Sequence, residues 1–404
     1  MLKNADWLEA RALLLSRAVP VEAEEVPLAD CGGRVLAFDL RAAEDVPAFD
    51  RSAYDGYALR AADIADASRE RPVTLKITET IAAGQVGRHP VTSGTAAHLM
   101  TGAAIPEGAD CVINFERTEY TADTVTLFAP LRMGDNIVRR GEDVAAGALL
   151  AARGTVIDAG LAGTLAAQGV AQVLVYRQPV IGLISTGSEV VEAEAAPGPG
   201  QIRNANRAAF TALMNRQGFQ TKYLGLAGDE AADIAGLIAQ GLASCDAVLL
   251  TGGVSVGDWD VTPEAMERCG VEILLRGVAM KPGMACAYGI REHCLVLGLS
   301  GNPASSLTNF CACALPALRK LAGRSDAEPP MISLTLMYSF KKKSPATRFL
   351  RGRLDLSDGT ARLDAPGDQG NVVLSSAIGC NAFAVVPAGS GPLSAGDKLK
   401  GFII

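Results

Sequence analysis

Two acidic residues follow a glycine-rich loop in the middle of the chain, a pattern that could bind a phosphate together with a metal ion. The apolar run 247–250 predicts a strand buried on both faces. In the loop 251–257, glycines allow backbone N–H groups to close on a small anion. Asp258 and Asp260 come next, before a helix with Thr262 as its expected N-cap and Pro263 as its first residue. The alternative is an ordinary strand-to-helix turn with solvated acids.

Two further turns of similar chemistry follow predicted strands. The strand 179–185 runs into Thr-Gly-Ser-Glu at 186–189, and the strand 294–299 runs into Ser-Gly-Asn-Pro at 300–303. We expect Asn302 to cap a helix that Pro303 starts and that continues to about residue 322. Carboxyl ends of parallel strands meet at one edge of an open α/β sheet, where ligands bind. The three turns therefore predict a nucleotide or phosphate crevice.

A polar loop at 44–58 offers a second group of candidate ligands. It carries Asp50, Ser52 and Asp55 among three aromatic residues. The aromatic residues are Phe49, Tyr54 and Tyr57. One interpretation is a polar pocket with an aromatic floor, and the other is a surface loop held down by its aromatic side chains.

The segment 139–143 places two arginines before two acids. Such a cluster could serve an anion and a cation together. The alternative is a surface turn closed by ion pairs that contribute little to stability.

Composition narrows the class of protein. The chain has 404 residues, of which 49% are hydrophobic and 20% charged, so we expect a globular protein of two to four domains. The net charge of −7 and the lack of a long basic block argue against a nucleic-acid partner. No apolar run reaches the roughly 18 residues of a membrane span. We therefore expect no membrane partner and a cytoplasmic location.

The cysteine and histidine content disfavours a zinc site. Nine cysteines occur without a CxxC pair, and the chain has only three histidines. Most of the cysteines are expected to be small buried residues in a reducing compartment.

The order of elements predicts an α/β multidomain protein. Residues 1 to about 20 are expected to form an amphipathic helix, with one face containing Trp7, Leu8, Ala12, Leu15 and Val19. Alternating patterns predict a β-rich region over 72–139, strand–helix alternation from 173, and an all-β region after the linker at 328–330.

Seven long motifs, in order, resemble the molybdopterin molybdenumtransferase family, which includes the gephyrin E domain. They are DVPAFDRSAYDGYAL, MTGAAIPEGADCVI, RRGEDVAAGALL, STGSEV, TGGVSVGDWD, MKPG and GLSGNPASS. The resemblance runs from about Trp7 to the C-terminus.

The resemblance implies four subdomains and an elongated homodimer whose active-site cleft is completed by both chains. A helical N-terminal subdomain would be discontinuous, from 1–45 and 140–175, with a β-rich inserted subdomain at 46–139. A doubly wound α/β subdomain that binds molybdopterin would cover 176–327. An all-β subdomain would cover 328–404.

The implied reaction is the insertion of molybdate into adenylylated molybdopterin, assisted by Mg²⁺, with release of AMP. By motif match, the catalytic residues would be Asp55, Asp143, Asp260 and Lys281, and the metal ligands Glu189, Asp229 and Asp260. The substrate- and phosphate-binding residues would be Thr101, Thr251, Gly252, Gly253, Ser255, Gly301, Asn302 and Pro303. Further partners would be other cofactor-biosynthesis proteins or a molybdoenzyme.

The chain departs from the family pattern where a metal oxyanion would bind. Gly277 stands where the family commonly has a basic residue, with Arg276 one position away, and Met284 follows the Lys-Pro-Gly motif in place of another basic residue. Ser300 replaces a proline and Asn371 replaces a serine. These changes leave three alternatives to a molybdate enzyme open. They are a tungstate-using paralogue, a non-catalytic scaffold on the same fold, and a nucleotide hydrolase built on the α/β part.

Overall fold

The computed structural model describes residues 1–254, 261–365 and 367–404. The chain forms two compact units. The first unit comprises Met1–Phe38, Arg153–Asp158 and Gln172–Ile404, and the second comprises Asp39–Ala152 and Ala159–Ala171.

A seven-stranded mixed sheet is the centre of the first unit. Its strands in spatial order are Leu2–Ala5, Glu272–Val278, Cys286–Arg291, Cys294–Leu299, Ala247–Thr251, Val180–Thr186 and Gln220–Ala227. Neighbours pair in parallel except Cys286–Arg291, which is antiparallel to both of its neighbours. Every residue of Ala247–Thr251 is buried, as the continuous apolar run predicts for a central strand.

Helices cover both faces of this sheet. Ala205–Arg216 contributes Phe210 and Met214 to one hydrophobic core, and Ala231–Leu242 contributes Ile234 and Ile238 to a core that also contains Met266. The remaining helices of the unit are Trp7–Arg17, Thr262–Arg268, Pro303–Asn309 and Leu315–Leu321, with a π-helical turn at Phe310–Ala314 between the last two.

The N-terminus differs from the predicted helix over 1–20. Leu2–Ala5 is an edge strand of the sheet, and the helix spans only Trp7–Arg17 because the Asp6 carboxylate accepts from the Leu8 amide at 2.8 Å and caps it there. The predicted apolar face is confirmed at Trp7 and wrong at Leu8 and Val19, which are exposed. The buried residues of the helix are Trp7, Ala10, Arg11 and Leu14.

The C-terminal part of the first unit forms a barrel-like sheet. Its six strands in order are Met280–Lys281, Thr347–Asp355, Arg362–Asp364, Met331–Leu336, Lys398–Ile403 and Ala382–Val386. An added pairing of Thr347–Asp355 with Ala382–Val386 closes the sheet on itself. Its first strand, Met280–Lys281, contains the lysine of the Lys-Pro-Gly motif and pairs with Thr347–Asp355.

Shorter elements complete the first unit. Gln172–Tyr176 pairs with Ala23–Pro27 and Val35–Leu36, and Val190–Val191 pairs with Ile202–Arg203. Short 3₁₀ turns lie at Leu28–Asp30 and Leu374–Ala377.

The second unit contains a six-stranded sheet. Its strands in order are Thr118–Tyr120, Thr124–Leu127, Val73–Ile81, Thr95–Leu99, Gly56–Leu59 and Cys111–Asn114. Two small antiparallel pairs join Arg51–Ser52 to Ile137–Val138 and Leu40–Arg41 to Leu149–Ala151. The unit also has the helix Ala159–Ala167 and 3₁₀ turns at Ala61–Ile64 and Phe115–Arg117.

All nine cysteines are free thiols, and five of them are buried. In the part of the chain that the structure describes, no helix combines the length and the apolar character needed to cross a membrane.

Candidate active site

The three strand-exit turns of the sequence pattern meet at one edge of the seven-stranded sheet. The Thr186 hydroxyl donates to the Thr251 carbonyl at 3.3 Å, and the Gly252 amide donates to the Leu299 carbonyl at 2.9 Å. A Cβ added at Gly301 would lie 3.6 Å from the Gly252 Cα. The edge thus brings the three turns into direct contact.

Glycine is required at the centre of this contact. Gly252 and Gly253 have φ values of +111° and +62°. A Cβ at Gly252 would lie 2.3 Å from the Thr186 hydroxyl, and one at Gly253 would lie 2.7 Å from the Thr262 hydroxyl. The backbone therefore approaches its neighbours more closely than any side chain permits.

Two of the predicted metal ligands lie at the turn 186–189. The Asp229 carboxylate accepts from the Ser188 hydroxyl at 2.5 Å and from the Ser188 amide at 3.2 Å. The Glu189 carboxylate folds back over Gly187, where an added Cβ would lie 2.4 Å from Oε2. The Glu189 side chain is exposed and Asp229 is partly exposed.

Ser255, Asp258 and Asp260 lie outside the described residues, so the structure does not place the third predicted metal ligand. Within residues 1–254, 261–365 and 367–404, no group of three or more His, Cys, Asp or Glu residues forms a metal-binding cluster. Glu189 and Asp229 are the predicted ligands that the structure locates.

The helix that follows the glycine loop starts one residue earlier than predicted. It spans Thr262–Arg268, so Thr262 is its first residue and not its cap. The buried Thr262 hydroxyl instead donates to the Gly252 carbonyl at 3.0 Å, which ties the helix to the loop. Asn302 and Pro303 are the cap and first residue of Pro303–Asn309 as predicted, although the Asn302 side chain makes no capping hydrogen bond.

In the second unit, the structure brings together two predicted site residues that are distant in sequence. Asp55 Oδ1 accepts from the Thr101 amide at 2.6 Å and from the Thr101 hydroxyl at 2.7 Å. These two hydrogen bonds, with a smaller contribution from the charge of His98, hold the pKa of Asp55 below its ordinary value. Asp55 is an exposed residue.

His98 is a neighbour of this pair that the sequence analysis missed. It lies on Thr95–Leu99 opposite Tyr57, and the two rings stack with their centroids 5.0 Å apart. A single histidine in an alternating strand carries no motif that would have identified it.

The loop 44–58 does not form a pocket with an aromatic floor. Phe49 and Tyr54 are exposed, at 47% and 52%, whereas Tyr57 is buried in the sheet. Ser52 is buried, and its hydroxyl donates to the Tyr54 carbonyl at 2.5 Å. The loop is therefore stabilised by local bonds.

The segment 139–143 forms a turn closed by ion pairs. Arg139 Nη1 lies 2.7 Å from Asp50 Oδ2, and Arg140 Nε lies 2.6 Å from Asp45 Oδ2. Both arginines are thus engaged by acids of the neighbouring loop. Asp143 is exposed, and its amide donates to the Val46 carbonyl at 3.0 Å.

The Lys-Pro-Gly segment lies against the helix that follows the third turn. Gly283 has a φ of +105°, and its carbonyl accepts from Nδ2 of the Asn309 side chain at 2.5 Å. A Cβ at Gly283 would lie 3.0 Å from the Ser305 carbonyl. Lys281 itself is exposed and pairs in parallel register with Arg348.

Arg351 is a second residue that the sequence analysis missed. It is fully buried, and its guanidinium donates to the Ser376 hydroxyl at 2.7 Å and to the Gly370 carbonyl at 3.1 Å. Its Nη1 is buried, and among the residues that the structure describes it has no hydrogen-bond partner. Burial lowers the pKa of Arg351 from its ordinary value.

The surroundings of Arg351 connect it to the turns. The Asn371 carbonyl, next to Gly370, accepts from the Ser305 amide at 3.2 Å. A buried guanidinium with an open N–H is a candidate anion ligand. An arginine within an apolar strand pattern is the signal that could have found it.

Comparison with known proteins agrees with this architecture. Three family models match the chain in order. They are the MoeA N-terminal region (domain I and II) at 6–169, the "Probable molybdopterin binding domain" at 182–320, and the MoeA C-terminal region (domain IV) at 333–400.

Curated relatives match over nearly the whole chain. The molybdopterin molybdenumtransferase of Bacillus subtilis is 35% identical over 95% of this chain and 90% of its own length. That of Staphylococcus aureus strain MRSA252 is 33% identical over 97% and 93%.

Among solved structures, the molybdopterin biosynthesis MoeA protein of Pyrococcus horikoshii OT3 superposes with a TM-score of 0.85. It is 29% identical and both chains are covered completely. On these grounds, the chain belongs to the molybdopterin molybdenumtransferase family and is an enzyme of molybdenum cofactor biosynthesis.

Proposed function

We propose that the enzyme inserts molybdate into adenylylated molybdopterin and releases AMP, with Mg²⁺ as the assisting ion. The observation that carries this proposal is the meeting of a glycine turn and two carboxylates at one sheet edge. Gly252 and Gly253 provide close backbone approach, and Glu189 and Asp229 flank the neighbouring turn. Cleaving a phosphate linkage requires these two kinds of group together.

The donor chemistry fits a hard divalent cation. Glu189 and Asp229 offer carboxylate oxygens, which Mg²⁺ prefers, and the exposure of Glu189 leaves room for the water molecules that Mg²⁺ usually keeps. Bound there, Mg²⁺ would neutralise phosphate charge. Ser188 positions the Asp229 carboxylate, and we assign Asp260 as the third ligand on the family resemblance.

The second side of the cleft is assigned to Asp55, Thr101 and Asp143. The two hydrogen bonds from Thr101 fix one Asp55 oxygen and keep the carboxylate ionised, so the other oxygen is available to position a substrate group. We propose that these residues act from the other chain of a homodimer, as the resemblance implies.

The oxyanion side is assigned to Lys281 and Arg351. Arg351 contributes a buried N–H that no described residue accepts from, and Lys281 contributes an exposed cation on the strand that pairs with the strand of Arg351. A desolvated guanidinium binds an oxyanion more strongly than a solvated one because little water competes for it.

A single-turnover assay tests this function. Purified protein is mixed with adenylylated molybdopterin, Mg²⁺ and either molybdate or tungstate, and both AMP and pterin-bound metal are measured. We expect AMP release only with oxyanion and Mg²⁺ present. Asp229→Asn should slow release about 100-fold, because the substitution keeps the shape of the side chain and removes its charge.

The matched control is Asp233→Asn, an exposed acid in the first turn of the helix that follows Asp229. It should retain wild-type rates. Faster turnover with tungstate would assign that oxyanion instead. Substrate binding without AMP release, with either oxyanion, would contradict the proposal and favour a scaffold role.

A further inference from the structure

An aromatic cluster lies beside the Asp55–Thr101 pair in the second unit. Its four residues come from three strands and a 3₁₀ turn, and they are Tyr57, His98, Phe115 and Tyr120. Three of the four lie outside the loop 44–58, so the cluster is not the aromatic floor that the sequence suggested for that loop. None of these rings has a part in the proposed function.

The four rings are in contact with one another. Tyr57 and His98 are direct partners on antiparallel strands, and their rings stack with centroids 5.0 Å apart and an interplanar angle of 25°. The centroid of the Tyr120 ring lies 6.2 Å from that of Tyr57 and 6.4 Å from that of Phe115. At these separations aromatic pairs attract each other beyond the burial of their area. The rings therefore form one contiguous cluster.

The cluster extends from the core of the second unit to its surface. Tyr57 is 2% exposed and belongs to the hydrophobic core, His98 is partly exposed, and Tyr120 is 58% exposed. Tyr120 thus keeps more than half of its surface in water while two neighbouring rings hold it in place. A ring that is already held can stack on a ligand with little further loss of side-chain freedom.

Two contacts connect the cluster to Asp55. The Phe115 amide donates to the Asp55 carbonyl at 3.1 Å. The pKa of Asp55 is lowered mainly by its hydrogen bonds from Thr101, and the charge of His98 also contributes, so His98 lies near this carboxylate. A ligand that meets the exposed Tyr120 ring would therefore lie close to an acid of the candidate site.

The composition of the cluster selects the kind of ligand. Aromatic side chains bind planar ring systems by stacking, and the hydroxyl of Tyr and the ring nitrogens of His can hydrogen-bond to the polar edge of such a ring. The proposed substrate has two planar heteroaromatic parts, which are its adenine and its pterin. A free tetrahedral oxyanion offers no planar face to these rings.

We propose that Tyr120 and His98 form a subsite for a planar heteroaromatic ring of the substrate, next to the carboxylate of Asp55. The identity of this ligand rests on the proposed function. Two sources share the chemistry, namely the adenine and the pterin of adenylylated molybdopterin. Tyr120 supplies the exposed ring, and the stack on the buried Tyr57 fixes the ring of His98.

Titration of the full-length protein with two probes tests the proposal and separates the two sources. The probes are AMP, which carries adenine without a pterin, and neopterin, which carries a pterin without a nucleotide, and calorimetry gives the Kd of each. Tyr120→Leu should raise the Kd of one probe about tenfold, because leucine keeps the apolar bulk and loses the planar face. Tyr120→Phe should restore most of the lost affinity, since phenylalanine keeps the ring.

His98→Leu tests the second ring. It should raise the Kd of the same probe as Tyr120→Leu, because both side chains contact one ligand. The unfolding midpoint of each variant is measured alongside. The exposed Tyr120 is the decisive position, since its replacement by leucine leaves the core residue Tyr57 and the strand pairing intact.

The matched control is Tyr338→Leu, a tyrosine of the first unit that is 52% exposed, and it should change neither Kd. A raised Kd for AMP in Tyr120→Leu assigns the adenine, and a raised Kd for neopterin assigns the pterin. Unchanged values for both probes, or a wild-type protein that binds neither probe, would overturn the proposal. A wild-type protein that releases no AMP in the single-turnover assay would refute the proposed function, and the titration would then decide the subsite by itself.

Discussion

At the scale of single residues, the Asp55–Thr101 pair shows how two hydrogen bonds keep a carboxylate ionised. One carboxylate oxygen accepts two hydrogen bonds, and the residue is exposed. Both bonds favour the charged form, so the pKa of Asp55 lies below its ordinary value and the group remains ionised throughout the neutral range. Asp55 is thus suited to positioning a substrate and not to donating a proton.

Asp55→Asn should lower the rate of AMP release about 100-fold or more and leave the unfolding midpoint nearly unchanged. The asparagine oxygen can still accept both bonds from Thr101, so only the charge is lost. Asp123→Asn, an exposed acid in the same unit, is the control. Equal losses of activity in both variants, or a large fall in the midpoint, would show that Asp55 has a structural role.

Long motifs in the sequence select residues that the fold brings together. Asp55 and Thr101 lie 46 positions apart, belong to two different motifs, and are hydrogen-bonded to each other; their role in the site stays a prediction. Arg351 belongs to no motif, and the sequence offers only the weak signal of an arginine within an apolar strand pattern. Its burial, and the partners of its guanidinium, depend on distant segments that pack over the strand, which a local pattern does not contain.

At the scale of elements, the glycine turn determines how closely the strand exits approach each other. Gly252 lies against Thr186 at the end of one neighbouring strand. Its amide donates to the carbonyl of Leu299, the last residue of the other neighbouring strand. The positions of Glu189 and Gly301 therefore depend on the absence of a side chain at 252. Apolar runs in the sequence predict the strands themselves. The close approach of the strand ends depends on which strands pair in the sheet, and the apolar runs do not show that pairing.

Gly252→Ala should destabilise the protein by roughly 1–3 kcal/mol, because a positive φ and a 2.3 Å approach to Thr186 both oppose a Cβ. Gly236→Ala provides the matched control. Gly236 lies inside the helix Ala231–Leu242, and a Cβ there meets nothing within 4 Å, so that variant should gain about 0.5–1 kcal/mol.

Urea unfolding of both variants gives the two free energies. A Gly252→Ala protein as stable as wild type would mean that the turn has an alternative conformation. In that case the close contact of the three turns would not be a requirement of the fold.

The element that sequence analysis misplaced is the N-terminal helix. Periodicity over 1–20 favoured one continuous helix, but Asp6 caps it and residues 2–5 enter the sheet. A four-residue edge strand has too few positions to show an alternating pattern. Its backbone bonds are made to residues about 270 positions away, which is why pairing was not predictable.

At the scale of the whole molecule, the proposed homodimer makes a quantitative prediction. If each cleft takes Asp229 from one chain and Asp55 from the other, an Asp55→Ala chain and an Asp229→Ala chain can complement each other. Random exchange gives about half mixed dimers, each with one intact site, so activity should recover to about a quarter of the wild-type value.

The experiment is to mix the two inactive proteins under conditions that exchange subunits and to measure AMP release. Each variant mixed with itself serves as the control and should remain inactive. Recovery of no activity in a mixture shown by tagged subunits to contain mixed dimers would place both acids in a site built by one chain.

The π-helical turn at Phe310–Ala314 separates two helical segments with different tasks. Pro303–Asn309 holds the turn of the site, and Leu315–Leu321 packs its buried residues into the core. A π turn contains one residue more than an α turn, and each residue of a helix rotates the next by about 100°. Deleting one residue here would leave an ordinary α turn, so Leu315 and Leu318 would still face the core. Because all five residues of the turn are buried, we expect evolution to tolerate the loss of one residue here more readily than the introduction of a charged one.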